Sequence, residues 1–326
     1  MIVITGGAGF IGSNLVAELE ARGEPRLIVC DQADAAPRNI DKRDLYASVE
    51  PDALPAFLAD NRSDIRAVFH LGATSSTMVT DAALFARNNY RFSLMLWDWC
   101  AAAGVPFIYA SSAATYGDGA IGFDDDASIA ALARLEPLNP YGRSKLLFDR
   151  RVAHILAAGK PAPPQWAGLK FFNVYGPNEY HKGNQRSVVA SIYPDAARGG
   201  PVRLFKSYHP EYADGGQLRD FVWVGDCVAV MLWLFDNAHA SGLFNVGTGK
   251  ARSFDDLARA VYAALGKPAN IDYIDMPVEL RSRYQYFTQA RMESLQAAGY
   301  NRPSTSLEDG VREYVTSYLS QDDPYR

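Results

Sequence analysis

Three cysteines are few for a chain of 326 residues. Cys30, Cys100 and Cys227 are odd in number, lie far apart and form no Cys-x-x-Cys pair. Neither a disulfide framework nor a zinc site therefore has support, and a reducing cytoplasm fits. Long apolar runs are missing as well. None reaches the roughly 18 residues needed to cross a bilayer, and a strand pattern begins at Ile2 with no basic segment ahead of it, so neither a membrane span nor an export signal is expected. Positive charge is not in excess. Lys and Arg number 32 against 37 Asp and Glu, a net charge of −5, which leaves no basic stripe for a polyphosphate backbone and argues against nucleic-acid binding. Metal-ligand spacing is also lacking: His154, His209 and His239 stand alone. Asp124-Asp125-Asp126 reads as a solvated loop, as do Asp34 and residues 41–44. No metal is expected.

The composition that remains is that of a globular protein, 48% hydrophobic and 21% charged with both signs spread along the chain. The length suits a dinucleotide-binding domain with a smaller second lobe. Ile2-Val3-Ile4-Thr5 is a short β-branched run ending in Gly6-Gly7-Ala8-Gly9-Phe10-Ile11-Gly12, and residues 14–22 read as a helix stopped by Gly23. Gly6, Gly9 and Gly12 permit a tight turn, the approach of a pyrophosphate to the main chain, and close helix–strand packing. The helix N-terminus behind them offers N–H groups and partial positive charge to an anion. A glycine turn also serves as a plain turn. What separates the two readings is Leu27-Ile28-Val29-Cys30, a second strand ending at Asp31, roughly twenty positions beyond Gly12, where a carboxylate meets ribose hydroxyls. Further strands are expected at residues 67–71 and 105–109, with a helix over about 89–103 between them in which Trp97 and Trp99 read as packing residues. Gly72-Ala73-Thr74-Ser75 is small enough to approach a cofactor, or is simply a turn. Strands alternating with helices predict an α/β fold, a doubly wound parallel sheet (Rossmann fold). Its ligands bind beyond the carboxyl ends of the strands, where Ser111, Ser112 and the glycine turn fall.

Asn139-Pro140-Tyr141-Gly142-Arg143-Ser144-Lys145 precedes an apolar stretch, so Tyr141 and Lys145 should stand one helical turn apart on a single face. Tyrosine titrates near 10, and an adjacent ammonium together with an oxidised nicotinamide favours the phenolate, making a usable acid/base. A Tyr-x-x-x-Lys pair alone is common on solvated helices, so its weight comes from the conjunction. The set Gly6-x-x-Gly9-x-x-Gly12, Ser111-Ser112-Ala113-Ala114-Thr115-Tyr116-Gly117 and Tyr141-x-x-x-Lys145 resembles the signature of extended short-chain dehydrogenases/reductases. Four further stretches resemble, over nearly the whole chain, the ADP-L-glycero-D-manno-heptose 6-epimerase family. They are residues 171–183, in which His181-Lys182-Gly183 discriminates most, residues 219–226, residues 244–249, and Arg283-Tyr284-Gln285.

That resemblance implies an isomerase: C6 of ADP-D-glycero-D-manno-heptose is epimerised through a transient 6-ketone with tightly bound NADP, in lipopolysaccharide core precursor synthesis. It implies that Ser112 polarises the substrate, Tyr141 exchanges the proton, Lys145 holds the nicotinamide ribose, and Lys182 acts as a second acid/base. Cofactor contacts would fall on the glycine turn with Phe10 and Ile11, on Asp31, Gln32, Arg38, on Leu71, Gly72, Ala73, Thr74 and Ser75, and on Asn88, Lys145, Val174 and Lys182. ADP-sugar contacts would fall on Ser112, Asn173, Phe205, Lys206, Ser207, Tyr208, Arg219 and Tyr284, and on Asn184 and Ser191. These last two replace the family's usual serine and histidine. A homo-oligomer, a pentamer by the same resemblance, is implied as well. Arg38, just beyond the second strand, suits a ribose 2′-phosphate, whereas Asp31 suits the unphosphorylated ribose, so NAD stays open beside NADP. The two readings of Lys182 are a proton donor for a ketone that has turned over, and a charge gripping the ADP phosphates.

A Rossmann domain over 1–172 with a returning segment near 219–248, and a substrate lobe of 173–218 and 249–326, is the expected organisation. Residues 118–137 and 207–218 are longer than the family pattern. Competing functions are another nucleotide-sugar epimerase or a dehydratase, and a non-catalytic NADP(H)-binding sensor. Ala113 and Ala114 stand where a dehydratase places an acidic residue, and the joint presence of Ser112, Tyr141 and Lys145 speaks against a sensor.

Overall fold

The computed structural model describes residues 1–32, 34–76, 79–281 and 284–326; Arg283, part of the resemblance, lies outside them. Six strands come from residues 2–171: β1 (Ile2–Thr5), β2 (Leu27–Cys30), β3 (Ala47–Val49), β4 (Ala67–His70), β5 (Phe107–Ser112) and β6 (Trp166–Phe171). Further strands follow: β7 (Asn173–Tyr175), β8 (Val202–Phe205), β9 (Leu218–Arg219), β10 (Phe221–Trp223), β11 (Gly242–Val246), β12 (Arg252–Ser253) and β13 (Ile271–Ile274). The main sheet runs in the order β11-β6-β5-β4-β1-β2-β3, every neighbour parallel. From β1 the order proceeds one way to β2 and β3 and the other way to β4, β5 and β6, so a crevice opens between the ends of β1 and β4.

Burial on both faces explains why the central strands β1, β2 and β4 are largely apolar. Ile2 and Ile4 of β1 point to one face, where they pack with Leu15 and Leu19 and with Val228 and Met231 of the helix Val224–Asp236. Val3 points to the other, with Leu96, Trp97, Phe148 and Val152. The doubly wound fold expected from the alternation is the one observed. Two local expectations fail. β3 was not anticipated, because it is a three-residue edge strand whose Ala47, Ser48 and Val49 are all at least partly exposed and form no apolar run. The helix expected from about residue 89 starts at Ala82, capped by Asp81, whose side chain accepts from the N–H groups of Ala83 and Leu84. A π turn over Ala86–Arg91 then leads into Phe92–Ala103. The first turn, Ala82–Phe85, is too short to show a period of its own, and the π turn that follows breaks the period that sequence reading relies on.

A separate apolar core lies around the helices Val188–Ala197, Phe254–Ala264 and Leu307–Tyr314 and the parallel pair β8–β13. Between the two cores run β7 and β10, paired in parallel. Among the described residues no helix is long and apolar enough to cross a membrane.

Two glycines are forced by contact. Gly6 has φ +69, and a Cβ on it would sit 2.5 Å from the Gly72 nitrogen. On Gly12 a Cβ would sit 2.0 Å from the carbonyl oxygen of Gly6. Gly12→Ala is therefore expected to destabilise the protein by about 1–3 kcal/mol, the usual range for overpacking, read as a lowered melting temperature. An unchanged melting temperature would contradict this packing.

Candidate active site

The first turn of the helix Phe10–Ala21 has no side-chain cap and no acidic residue. Its N–H groups are left for an anion, and the turn lines a cleft of about 430 Å³ at Gly6, Gly9, Phe10, Ile11 and Gly12. Asp31, at the end of β2, reaches into the same turn. Its Oδ2 accepts the N–H of Ala8 at 3.2 Å and its Oδ1 that of Gln32 at 3.0 Å. Burial pushes its carboxyl above the usual range, against the pull of these backbone N–H groups. Leu71, Gly72, Ala73, Ser75 and Val174 complete that end of the cleft. A second cleft of about 860 Å³ shares Gly6, Asp31, Gly72 and Ala73 with it and continues past Gln32, Thr74 and Asn88. Asn88 donates to the Thr74 hydroxyl at 3.0 Å. The two clefts together collect every residue expected to touch the cofactor except Arg38. That guanidinium is exposed, 4.3 Å from the Tyr325 ring centre and 3.9 Å from Asp323.

Chemistry concentrates at the other end of the first cleft, where Ser112, Tyr141, Lys145 and Lys182 all line the wall. The helix Pro140–Ala157 begins there because Asn139 accepts the Gly142 N–H at 2.8 Å and Pro140 needs no donor partner. Tyr141 and Lys145 then follow one turn apart, as expected. Burial raises the Tyr141 phenol, and a side-chain hydrogen bond with Ser112 opposes it. Burial lowers the Lys145 ammonium to about 8, against the attraction of Asp149, while its Nζ donates to the Ala110 carbonyl at 2.8 Å.

Lys182 arrives from the segment after β7, which is stitched to the glycine-turn helix. Asn14 donates to the Pro177 carbonyl at 2.9 Å, Asn178 to the Ser13 hydroxyl at 3.0 Å, and Asn39 to the Asn178 carbonyl at 3.0 Å. Glu179, fully buried, clamps the rest of the segment by accepting from the Ser187 hydroxyl at 2.6 Å and the Tyr314 hydroxyl at 3.0 Å. The Lys182 ammonium consequently lies 5.4 Å from the Phe10 ring centre, and burial lowers its pKa while Glu179 opposes.

Of the residues expected at the sugar nucleotide, several assemble in the second core's outer layer. Arg219 sits 5.4 Å from the Tyr284 ring centre. Tyr208 takes the Tyr286 hydroxyl as acceptor at 3.1 Å, Lys206 pairs with Asp275 at 3.1 Å, and Ser207 donates its N–H to Asp214 at 2.8 Å. Phe205 ends β8, and Asn173 begins β7, exposed. Asn184 and Ser191 are exposed and outside the cleft, the Ser191 hydroxyl turned to the Ser187 carbonyl at 2.8 Å. The longer segment 207–218 carries a cluster of rings, with His209 5.3 Å from Tyr212 and 5.1 Å from Tyr286. In the other, Asp125 accepts the Asn245 N–H at 2.7 Å and the Ser294 hydroxyl at 2.6 Å. Sequence reasoning missed Asn89, which joins the Thr74 carbonyl to the Ser144 hydroxyl, and the buried residues His70, Asp149 and Lys170. A polar residue in an apolar strand was the only available signal for the last.

Comparison with known proteins decides the family. Residues 2–247 match the NAD dependent epimerase/dehydratase family. The chain belongs to that family. Among curated members of this epimerase/dehydratase family, the ADP-L-glycero-D-manno-heptose-6-epimerase of Nitratidesulfovibrio vulgaris (strain DP4) is 48% identical over 100% of both chains. The crystal structure of the Helicobacter pylori ADP-L-glycero-D-manno-heptose-6-epimerase is 28% identical, with a TM-score of 0.79 over 98% of this chain and 96% of that one. The UDP-glucose 4-epimerase of Thermus thermophilus, solved in complex with NAD, is 26% identical with a TM-score of 0.72 over 95% and 96%.

The Lys145 value carries a prediction for an epimerase/dehydratase enzyme. The ammonium is charged below about 8 and neutral above it, so turnover is expected to fall as pH rises through that value. A kcat that stays level across it would show that the Lys145 charge is not needed.

Proposed function

We propose that this protein interconverts ADP-D-glycero-D-manno-heptose and ADP-L-glycero-D-manno-heptose by oxidising C6 to a transient ketone and reducing it on the opposite face. One observation carries the reading: Tyr141 and Lys182, two proton-exchanging side chains on separate elements, line a single cleft with Ser112 and Lys145. An epimerase acting on a secondary alcohol must have the C–H hydride removed from one face of the carbon and returned to the other, so the ketone must turn relative to the hydride acceptor. In a tetrahedral–trigonal–tetrahedral sequence a single acid/base serves only when the oxygen comes back to its starting place. When the exocyclic end of the sugar turns instead, the oxygen needs a second donor.

The clefts fit a nicotinamide dinucleotide. The uncapped helix start at Phe10 suits the pyrophosphate, the glycine cradle admits no side chain, and Asp31 directly follows β2. A bound nicotinamide would supply reversible hydride acceptance, with no net redox change over a cycle. Gly6, Gly9, Gly12, Phe10 and Ile11 would hold the phosphates, and Lys145 the nicotinamide ribose. Ser112 donates a hydrogen bond to the C6 oxygen, Tyr141 takes its proton in one half-reaction, and Lys182 supplies a proton in the other; exchange with water resets both groups. Asn173, Arg219, Tyr208 and Tyr284 are the proposed contacts to the sugar nucleotide, with Phe205, Lys206 and Ser207 beside them.

NADP is the proposed cofactor form. Supporting it, Arg38 and Lys42 stand just beyond β2 on either side of the Asp323 carboxylate, 3.9 and 2.8 Å away, a place that a 2′-phosphate could take from the carboxylate. Arg38→Ala is expected to weaken NADP more than NAD when both are titrated by calorimetry into cofactor-stripped protein, since only NADP presents a phosphate to the guanidinium. Equal weakening would return the preference to NAD.

Lys182→Met, assayed from both epimers, is expected to lower kcat by about a hundred- to ten-thousand-fold, the range of acid/base assistance, with ADP-sugar binding largely kept. Parent kcat at saturating substrate with lost affinity would instead assign Lys182 to the diphosphate.

A further inference from the structure

One buried charge pair stands beside the proposed chemistry without a role in it. Lys170 on β6 and Asp149 on the helix Pro140–Ala157 have no exposed side-chain surface, and their atoms lie 3.1 Å apart. A pair so removed from water offsets its desolvation only when its other donors and acceptors are also met. Here they are met by the residues that flank Ser112. The Ser111 hydroxyl donates to Asp149 Oδ2 at 2.7 Å and the Tyr109 hydroxyl to Oδ1 at 3.1 Å. Lys170 donates to the Thr115 hydroxyl at 2.6 Å, and Thr115 donates onward to the Ser112 carbonyl at 2.8 Å. The strand end is thus tied on both sides of Ser112. Asp149 also follows Tyr141 and Lys145 at successive one-turn steps on one helix face, and Lys145 donates to the carbonyl of Ala110, next to Ser111.

We propose that Asp149 and Lys170 form the positioning pair of this active site, fixing Ser112 against Tyr141 and presenting a carboxylate on the helix face that carries Lys145, without touching substrate or cofactor. The inference rests on the roles given above to Ser112, Tyr141 and Lys145. A pair that merely filled the core would bond to whatever lay nearby. This one bonds, besides Tyr109, to the two residues that bracket Ser112, and its carboxylate lies on the helix face that carries the other two groups. Among the described residues, the titratable groups around Lys145 are Asp149 and Tyr141 on its own helix, His70 on β4, and Lys182 across the cleft. His70 is held neutral, its pKa pushed down to about 3 by burial and by the Lys145 charge. Asp149 therefore supplies the negative charge among them.

The test uses the holoenzyme in three forms: Asp149→Asn, the charge-balanced Asp149→Asn/Lys170→Met, and Thr115→Val. Cofactor content and melting temperature report the fold, kcat against pH reports the chemistry, and the ¹⁵N resonance of the Lys145 ammonium reports its titration without turnover. Asp149→Asn is expected to keep its cofactor, lose about 10- to 100-fold in kcat, the range seen for residues that orient primary ligands, and shift both the alkaline limb and the Lys145 titration to lower pH. The double variant is expected to regain melting temperature but not kcat. Should the single variant fail to fold, the double variant, which buries no unpaired charge, carries the same test. Thr115→Val cuts the link to Ser112 and leaves Asp149 beside Lys145, so kcat should fall several-fold with the alkaline limb in place. Recovery of parent kcat together with melting temperature in the double variant would reduce the pair to a structural one, and parent kcat in Thr115→Val would remove the tie to Ser112. Tyr141→Phe run alongside separates the two layers: if it turns over like the parent, the assignment of the site fails, whatever Asp149 does.

Discussion

Between the ends of β1 and β4 the main chain of Gly6 lies against that of Gly72, too close for a Cβ at either position to fit without crowding. The Gly6 carbonyl in turn faces Gly12 so closely that the first helix docks directly on the turn. The rest of the site depends on this contact. It sets the helix N-terminus at the mouth of the crevice, holds the Gly72 N–H 3.2 Å from the Thr5 hydroxyl, and leaves the Thr5 hydroxyl within 2.6 Å of the buried His70 ring. A side chain at Gly6 or Gly12 would push the helix off the sheet, and with it the floor of both clefts.

Around that floor the chemistry is placed by burial more than by proximity of opposite charges. Tyr141, Lys145 and Lys182 are each shifted toward their neutral form, and in each case removal from water is the largest cause. For the two lysines this moves the ammonium toward the working range of an acid/base. For Tyr141 it works the other way, and on the roles proposed above the phenol would depend on Ser112 and on positive charge in the cleft to become a base. On those same roles, the buried Asp149–Lys170 pair has consequences for the reaction as well as for the core.

Much of this was legible in the chain. The glycine turn, Asp31 at the end of the second strand and the Tyr141–Lys145 step are local patterns, and local patterns survive folding. The strands buried on both faces announce themselves as β-branched runs. Other parts depend on contacts between residues far apart in sequence. Arg38 looked free to meet a phosphate, yet Tyr325 and Asp323 lie against it. Lys182 acquires its place through long-range contacts such as those of Asn14 and Asn39 with the segment after β7, and neither of these two residues carries a pattern. β3 is too short and too exposed to be seen, and the π turn at Ala86–Arg91 conceals the helix start. Lys170 reads as an oddity in an apolar stretch, and Asp149 as one more charge beside Arg150 and Arg151, until the fold brings the two together.

The central claim is that a hydride and two protons pass through one cleft with the sugar turning between them. Proton NMR of ADP-D-glycero-D-manno-heptose incubated with the purified, cofactor-loaded protein tests it most directly. The account predicts that the C6 signals convert to a mixture of the two C6 epimers, approached from either side, with no accumulation of reduced cofactor. An unchanged spectrum, inversion at another carbon, a dehydrated product or a stoichiometric build-up of reduced cofactor would contradict it.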